Sequence, residues 1–119
     1  MSRPRIIVVD DNVLLLRSLA RRLGAFHVRL AECPERALAL LDEEDADIIV
    51  SDYEMPRRDG VSLLSEIAQR HPKTRRVLMS SAPPDSAPHL VAHGVLHDVL
   101  EKPLCGFVDR LQQLCEAQP

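Results

Sequence analysis

The sequence predicts an α/β fold: a doubly wound, five-stranded parallel sheet with helices on both faces. Two observations carry this. Short runs of strand character alternate strictly with segments of helical periodicity along the 119 residues, and such alternation builds parallel sheets through right-handed crossovers. The runs at 6–9 and 48–50 are also apolar throughout, as strands buried on both faces are.

Residues 5–9, Arg-Ile-Ile-Val-Val, form the first strand. Asn12 can cap a helix whose positions Leu15, Leu16, Leu19, Ala20 and Leu23 recur at helical spacing, with Gly24 placed to end it. Phe26, Val28 and Leu30 alternate with His27 and Arg29, which predicts a strand nearer the sheet edge. Pro34 suits the first turn of a second helix carrying Ala37, Leu38, Leu40 and Leu41. The acidic run from Asp42 to Asp47 reads as its solvated end. A third strand over 47–51 runs into Asp52 and the loop 53–60, followed by an amphipathic helix over 61–71, with Met55, Leu63, Leu64 and Ile67 as core. Residues 75–82 give a fourth strand. The Pro-rich stretch after it allows only a short helix, beginning near Pro84 or Pro88. The fifth strand is expected over 95–102, and Leu104, Phe107, Val108, Leu111, Leu114 and Cys115 mark the inner stripe of a last helix.

Composition narrows the function. The length fits one domain, 1–119, and 45% hydrophobic with 28% charged residues is a globular balance. Two Phe, one Tyr and no Trp leave no platform for stacking bases, and a net charge of −3 leaves no phosphate-backbone footprint, so direct nucleic-acid binding is not expected. No apolar run reaches the length of a membrane span, and the start lacks the apolar stretch and cleavage site of a signal peptide, so no membrane association and a cytoplasmic location are expected. Cys33, Cys105 and Cys115 are odd in number and form no C-x-x-C, which reads as reduced packing residues. Few residues follow the last helix, so an effector domain within this chain is not expected.

In an open parallel sheet the ligand site lies at the carboxyl ends of the strands. There the sequence places Asp10 and Asp11, then Asp52, then Ser80 and Ser81, then Lys102 and Pro103. Adjacent carboxylates repel, and where desolvated they need a positive partner. Three carboxylates from two strands suit a hard cation such as Mg²⁺, which would neutralise the pair and orient a phosphoryl group for in-line transfer. Asp52, ending the central strand beside an open loop, is the best nucleophile, and Lys102 is a point charge suited to a phosphoryl oxygen. Only one of Ser80 and Ser81 can face the site, and spacing does not choose between them. His89, His93 and His97 recur every four residues, but Gly94 interrupts the helix, and they read as solvated histidines rather than a metal site. Arg57 and Arg58 flank the rim, where an exposed loop accounts for them as well as kinase docking does.

Taken together, "VVDDN", "SDYEMPRRDG", "LMSSA" and "LEKP", in this order and spacing, resemble the receiver domain of two-component response regulators over essentially the whole chain. The resemblance implies a flavodoxin-like sheet of order 2-1-3-4-5. It implies a phosphoacceptor at Asp52, charged by a sensor histidine kinase or phosphotransfer protein, and a downstream protein partner; a homodimer is compatible with it. It implies Mg²⁺ held by Asp11 and Asp52 directly, by Asp10 largely through water, and by the backbone carbonyl of Glu54. It implies Ser81 as the switch hydroxyl and Lys102 as the phosphoryl clamp before a cis Pro103. Two features depart from the family: the position three before the lysine, usually aromatic, is Val99, and the segment between Ser81 and Gly94 is short and carries Pro83, Pro84 and Pro88. They leave the chemistry intact and put the usual route of signal transmission in doubt.

Two other function classes compete. A receiver fold can serve as a phosphorylation-independent interaction or dimerisation module. An aspartate-nucleophile phosphatase of the dehalogenase-like kind uses similar groups, but its nucleophile comes first and its acidic pair last, the reverse of the order here.

Overall fold

A computed structural model describes residues 3–104 and 106–116. Its elements alternate as β1 (Arg5–Val9), α1 (Val13–Arg22), β2 (His27–Ala31), α2 (Pro34–Glu43), β3 (Ile48–Asp52), α3 (Gly60–Arg70), β4 (Arg75–Ser80), α4 (Ala87–Ala92), β5 (Asp98–Glu101) and α5 (Phe107–Glu116). The strands form one parallel sheet in the order β2-β1-β3-β4-β5. This is the expected fold. The short helix α4 starts one residue before Pro88, and Asn12 caps α1 by accepting from the Leu15 amide. Cys105 lies outside the described residues, while Cys33 and Cys115 are free and half-buried.

Period-two alternation splits the strands between two cores. Ile6, Val8, Ile48 and Val50 point to one face and pack against Leu16 and Leu19 of α1 and Phe107, Leu111 and Leu114 of α5. Ile7, Val9, Ile49 and Leu78 point to the other, against Ala37, Leu40 and Leu41 of α2 and Leu63, Leu64 and Ile67 of α3. Each such side chain contributes about 1.5–3 kcal/mol on full burial, so α1, α2, α3 and α5 are each pinned by several anchors. By contrast α4, six residues long, buries only Ala87 fully and rests Leu90 partly on the second core.

The structure corrects the fifth strand. Val95, Leu96 and His97 are not strand; they form a turn in which the Val95 and Leu96 amides donate to the Leu90 carbonyl at 3.0 and 3.2 Å. The cause is Arg76, a charged side chain only 4% exposed in β4. Its guanidinium donates to the carbonyls of Val95 at 2.8 Å, Thr74 at 2.8 Å and Gly94 at 3.0 Å, so this stretch of backbone is bent around the cation. Nor is His97 a solvated histidine: its Nδ1 accepts from the Arg76 amide at 2.9 Å. The acidic run keeps a solvated helix end, with residues 42–45 exposed, although Asp42 pairs with Arg70 and Asp47 accepts from the Arg5 amide.

Burial, with the neighbouring Arg76 and Arg75 cations, pushes the His97 pKa down to about 4 from an ordinary 6.5. Between those values the unfolded chain takes up the proton more readily, so the stability His97 contributes is full above pH 6.5 and is lost as pH falls toward 4. Replacing it by an acceptor that does not titrate, His97→Asn, is expected to flatten this dependence. Thermal melts at pH 7 and 4.5 should show the wild-type melting temperature falling about 5 °C further than that of the variant.

Candidate functional site

The carboxyl ends of β1, β3 and β5 meet at one rim. Beyond β1, the Asp10 amide donates to Ala31 at 3.1 Å, which turns its side chain inward, and one of its carboxylate oxygens accepts from the Asn12 amide at 2.9 Å. Asp10 is 1% exposed and Asp52, the last residue of β3, is 7% exposed, whereas Asp11 faces solvent. Just past β5 the Lys102 amide donates to the Ser80 carbonyl at 3.0 Å, and the Lys102–Pro103 peptide is cis.

One carboxylate oxygen from each of Asp10, Asp11 and Asp52 lies within 4.8 Å of the others. The Lys102 ammonium stands 3.1 Å from Asp52 Oδ1 and 3.5 Å from Asp10 Oδ2. Burial raises the Asp10 pKa above its ordinary value, the hydrogen bond from Asn12 works against this, and the Asp52 charge raises it further. Burial pulls Lys102 the other way, but the Asp52 and Asp10 carboxylates more than offset it and hold the ammonium above its usual range. One ammonium thus faces three carboxylates, and Asp10 Oδ2 is buried without a hydrogen-bond partner. A buried oxygen held only by an ion pair at 3.5 Å, beside an all-oxygen donor set, fits a hard divalent cation such as Mg²⁺.

The loop between β3 and α3 holds Asp52 in place. The Tyr53 amide donates to the Met79 carbonyl at 2.9 Å, and the Gly60 amide returns to the Tyr53 carbonyl at 2.8 Å. Asp59 caps α3 by accepting from the Ser62 amide at 2.8 Å. A Cβ at Gly60 would sit 2.2 Å from the Asp52 carbonyl oxygen, so only glycine lets α3 start against the end of β3. Neither Asp59 nor Gly60 was singled out from the sequence, although Asp-Gly before an apolar periodic run is a helix-start signal. Arg58 is drawn away from the rim to Ser62 and Glu66, while Arg57 is exposed at a positive φ of 69°.

The family model of the response regulator receiver domain matches residues 6–114. The chain belongs to this family. It is 34% identical over 110 residues to the two-component response regulator ORR8 of rice, covering 87% of this chain and 90% of that protein. It is 37% identical over 107 residues to protein-glutamate methylesterase/protein-glutamine glutaminase 1 of Anaeromyxobacter dehalogenans, covering 87% of this chain but only 30% of the relative. Among solved structures, the signal receiver domain of an HD domain-containing protein from Pseudomonas fluorescens Pf-5 superposes with a TM-score of 0.87 at 28% identity, over 98% of this chain and 89% of that one.

At the end of β4 this receiver domain separates its two serines. Ser80 is buried and spends its hydroxyl as an acceptor for the Ala82 amide at 3.0 Å, whereas Ser81 is exposed. Glu54 is exposed in the loop after β3, two residues beyond Asp52. Val99 is half-buried against the second core and lines an open groove of about 650 Å³ with Pro83, Pro84, Pro88 and Val91.

Gly60→Ala is expected to press a methyl group onto the Asp52 carbonyl and cost about 1–3 kcal/mol. A denaturant midpoint that drops accordingly, with an unchanged m-value, would be the mark of it.

Proposed function

We propose that this receiver domain is a phosphorylation-operated signalling module, its residues 1–119 acting as one unit. The observation that carries it is the rim where three carboxylate oxygens converge within 4.8 Å with an ammonium 3.1 Å from Asp52. An Asp52 carboxylate oxygen attacks the phosphorus of a phosphohistidine on a sensor histidine kinase or phosphotransfer protein. The O–P bond forms as the P–N bond breaks, and the imidazole leaves with the electron pair and takes up a proton. Asp11, Asp52 and the Glu54 carbonyl would hold Mg²⁺, with Asp10 acting largely through water, and the ion would supply charge that neutralises the phosphoryl oxygens. Lys102 trades its bond to Asp52 for one to the phosphoryl group, and the exposed Ser81 hydroxyl donates to another of its oxygens.

On this reading the chain works in the cytoplasm, where its phosphodonors are, and passes the signal to a downstream protein partner rather than turning over a substrate. Among the described residues no helix is long and apolar enough to cross a membrane. Val99 favours a second reading, constitutive docking independent of phosphate, because a small stiff side chain cannot swing as a ring does.

Acetyl phosphate with Mg²⁺ separates the two. Intact-mass spectrometry is expected to show a phosphoryl adduct on the wild type and none on Asp52→Asn; an unmodified wild type leaves the docking reading standing, and an adduct on Asp52→Asn removes this nucleophile. Mg²⁺ alone should raise the melting temperature of the wild type, since it binds only the folded rim, and that rise should disappear in Asp11→Ala.

A further inference from the structure

The three histidines spaced by four part company in the structure. His97 is committed to Arg76, but His89 and His93 are both exposed on one face of α4 and its C-terminal cap, with ring centroids 4.0 Å apart and planes inclined by 33°. His93 Nδ1 lies 2.9 Å from the His89 carbonyl oxygen. A carbonyl oxygen only accepts, so the proton sits on Nδ1 and the neutral ring keeps its lone pair on Nε2. Histidines that bind metals are anchored in this way, one ring nitrogen donating to a backbone carbonyl and the other left to ligate.

We propose that His89 and His93 form a two-imidazole site for a borderline divalent transition ion, Zn²⁺, Ni²⁺ or Cu²⁺. Residues at i and i+4 lie one turn apart on the same face, which lets two ring nitrogens reach one ion, with water filling the remaining positions. Imidazole nitrogen selects these ions, whereas Mg²⁺ prefers the all-oxygen rim, so ligand chemistry keeps the two sites apart. The consequence falls on α4. A helix of six residues is marginal by itself, and an ion bridging its last turn to the His93 cap holds that turn closed. This site does not depend on phosphorylation at Asp52.

Isothermal titration of Zn²⁺ into the protein, with Mg²⁺ held saturating so that the rim is occupied, tests the site. A single Zn²⁺ is expected per chain, weakened at least about tenfold in His89→Gln and in His93→Gln and unchanged in His27→Gln. With Cu²⁺, electron paramagnetic resonance should show nitrogen couplings from two imidazoles in the wild type and from one in either single variant. Equal Zn²⁺ affinity in the wild type and the two α4 variants would overturn the proposal. So would a loss of Zn²⁺ binding in Asp11→Ala, which would assign the ion to the acidic rim.

Discussion

Lys102 is the constraint on which the rest of the rim depends. Asp10 and Asp52 are both nearly buried at the ends of adjacent strands, and like charges at such depth repel strongly unless a cation stands between them. Among the described residues, the ammonium 3.1 Å from one and 3.5 Å from the other is the cation that does so. Compensation is incomplete: Asp10 remains raised by burial, and its Oδ2 has the ion pair with Lys102 at 3.5 Å but no hydrogen bond. A rim left short of positive charge is one whose oxygen donors suit a divalent cation.

The sheet makes this arrangement possible at little conformational cost. β1 and β3 are neighbours inside the sheet and both buried on two faces, so Asp10 and Asp52 are delivered by strands held on every side. Lys102 arrives from β5 at the far edge, tied to β4 by the hydrogen bond that its backbone N–H donates to the Ser80 carbonyl. At the opposite end of the sheet Arg76 and His97 lock the turn before β5, which fixes the strand that carries Lys102 from below. Two polar clusters therefore bracket β5, a strand of only four residues.

The central features were legible in the sequence because they rest on local pattern. Continuous apolar runs announce β1 and β3, and the acidic and basic residues that follow strand ends fall on one rim in any parallel sheet. What was not legible depended on distant partners. Nothing local distinguishes Val95-Leu96-His97 from a strand; a buried guanidinium nineteen residues upstream in the chain bends it instead. His97 looks solvated until Arg76 claims its lone pair. Spacing left Ser80 and Ser81 equal, and only the burial of Ser80 with its bond to the Ala82 amide shows which hydroxyl is already occupied. The start of α3 at Gly60 is set by the Asp52 carbonyl, a contact across the loop that no helical periodicity reports.

The same contrast bears on how a change at the rim can spread. α1, α2, α3 and α5 are each held by several fully buried side chains, so a sub-ångström shift at Asp52 meets a stiff wall on those sides. The segment from Ser81 to α4 is held by far less: one hydroxyl bond at its base, the Ala87 amide on Pro84, and a single fully buried residue in the helix. Beneath it, Val99 leaves an open groove where a larger side chain would fill the space, and a β-branched side chain has few rotamers with which to respond. Ser81 is followed after one residue by Pro83 and Pro84, and Pro88 stands in the first turn of α4, so fixed φ angles leave this segment few ways to absorb a shift. The groove between these prolines and β5 therefore borders a segment that is anchored far less firmly than the four longer helices.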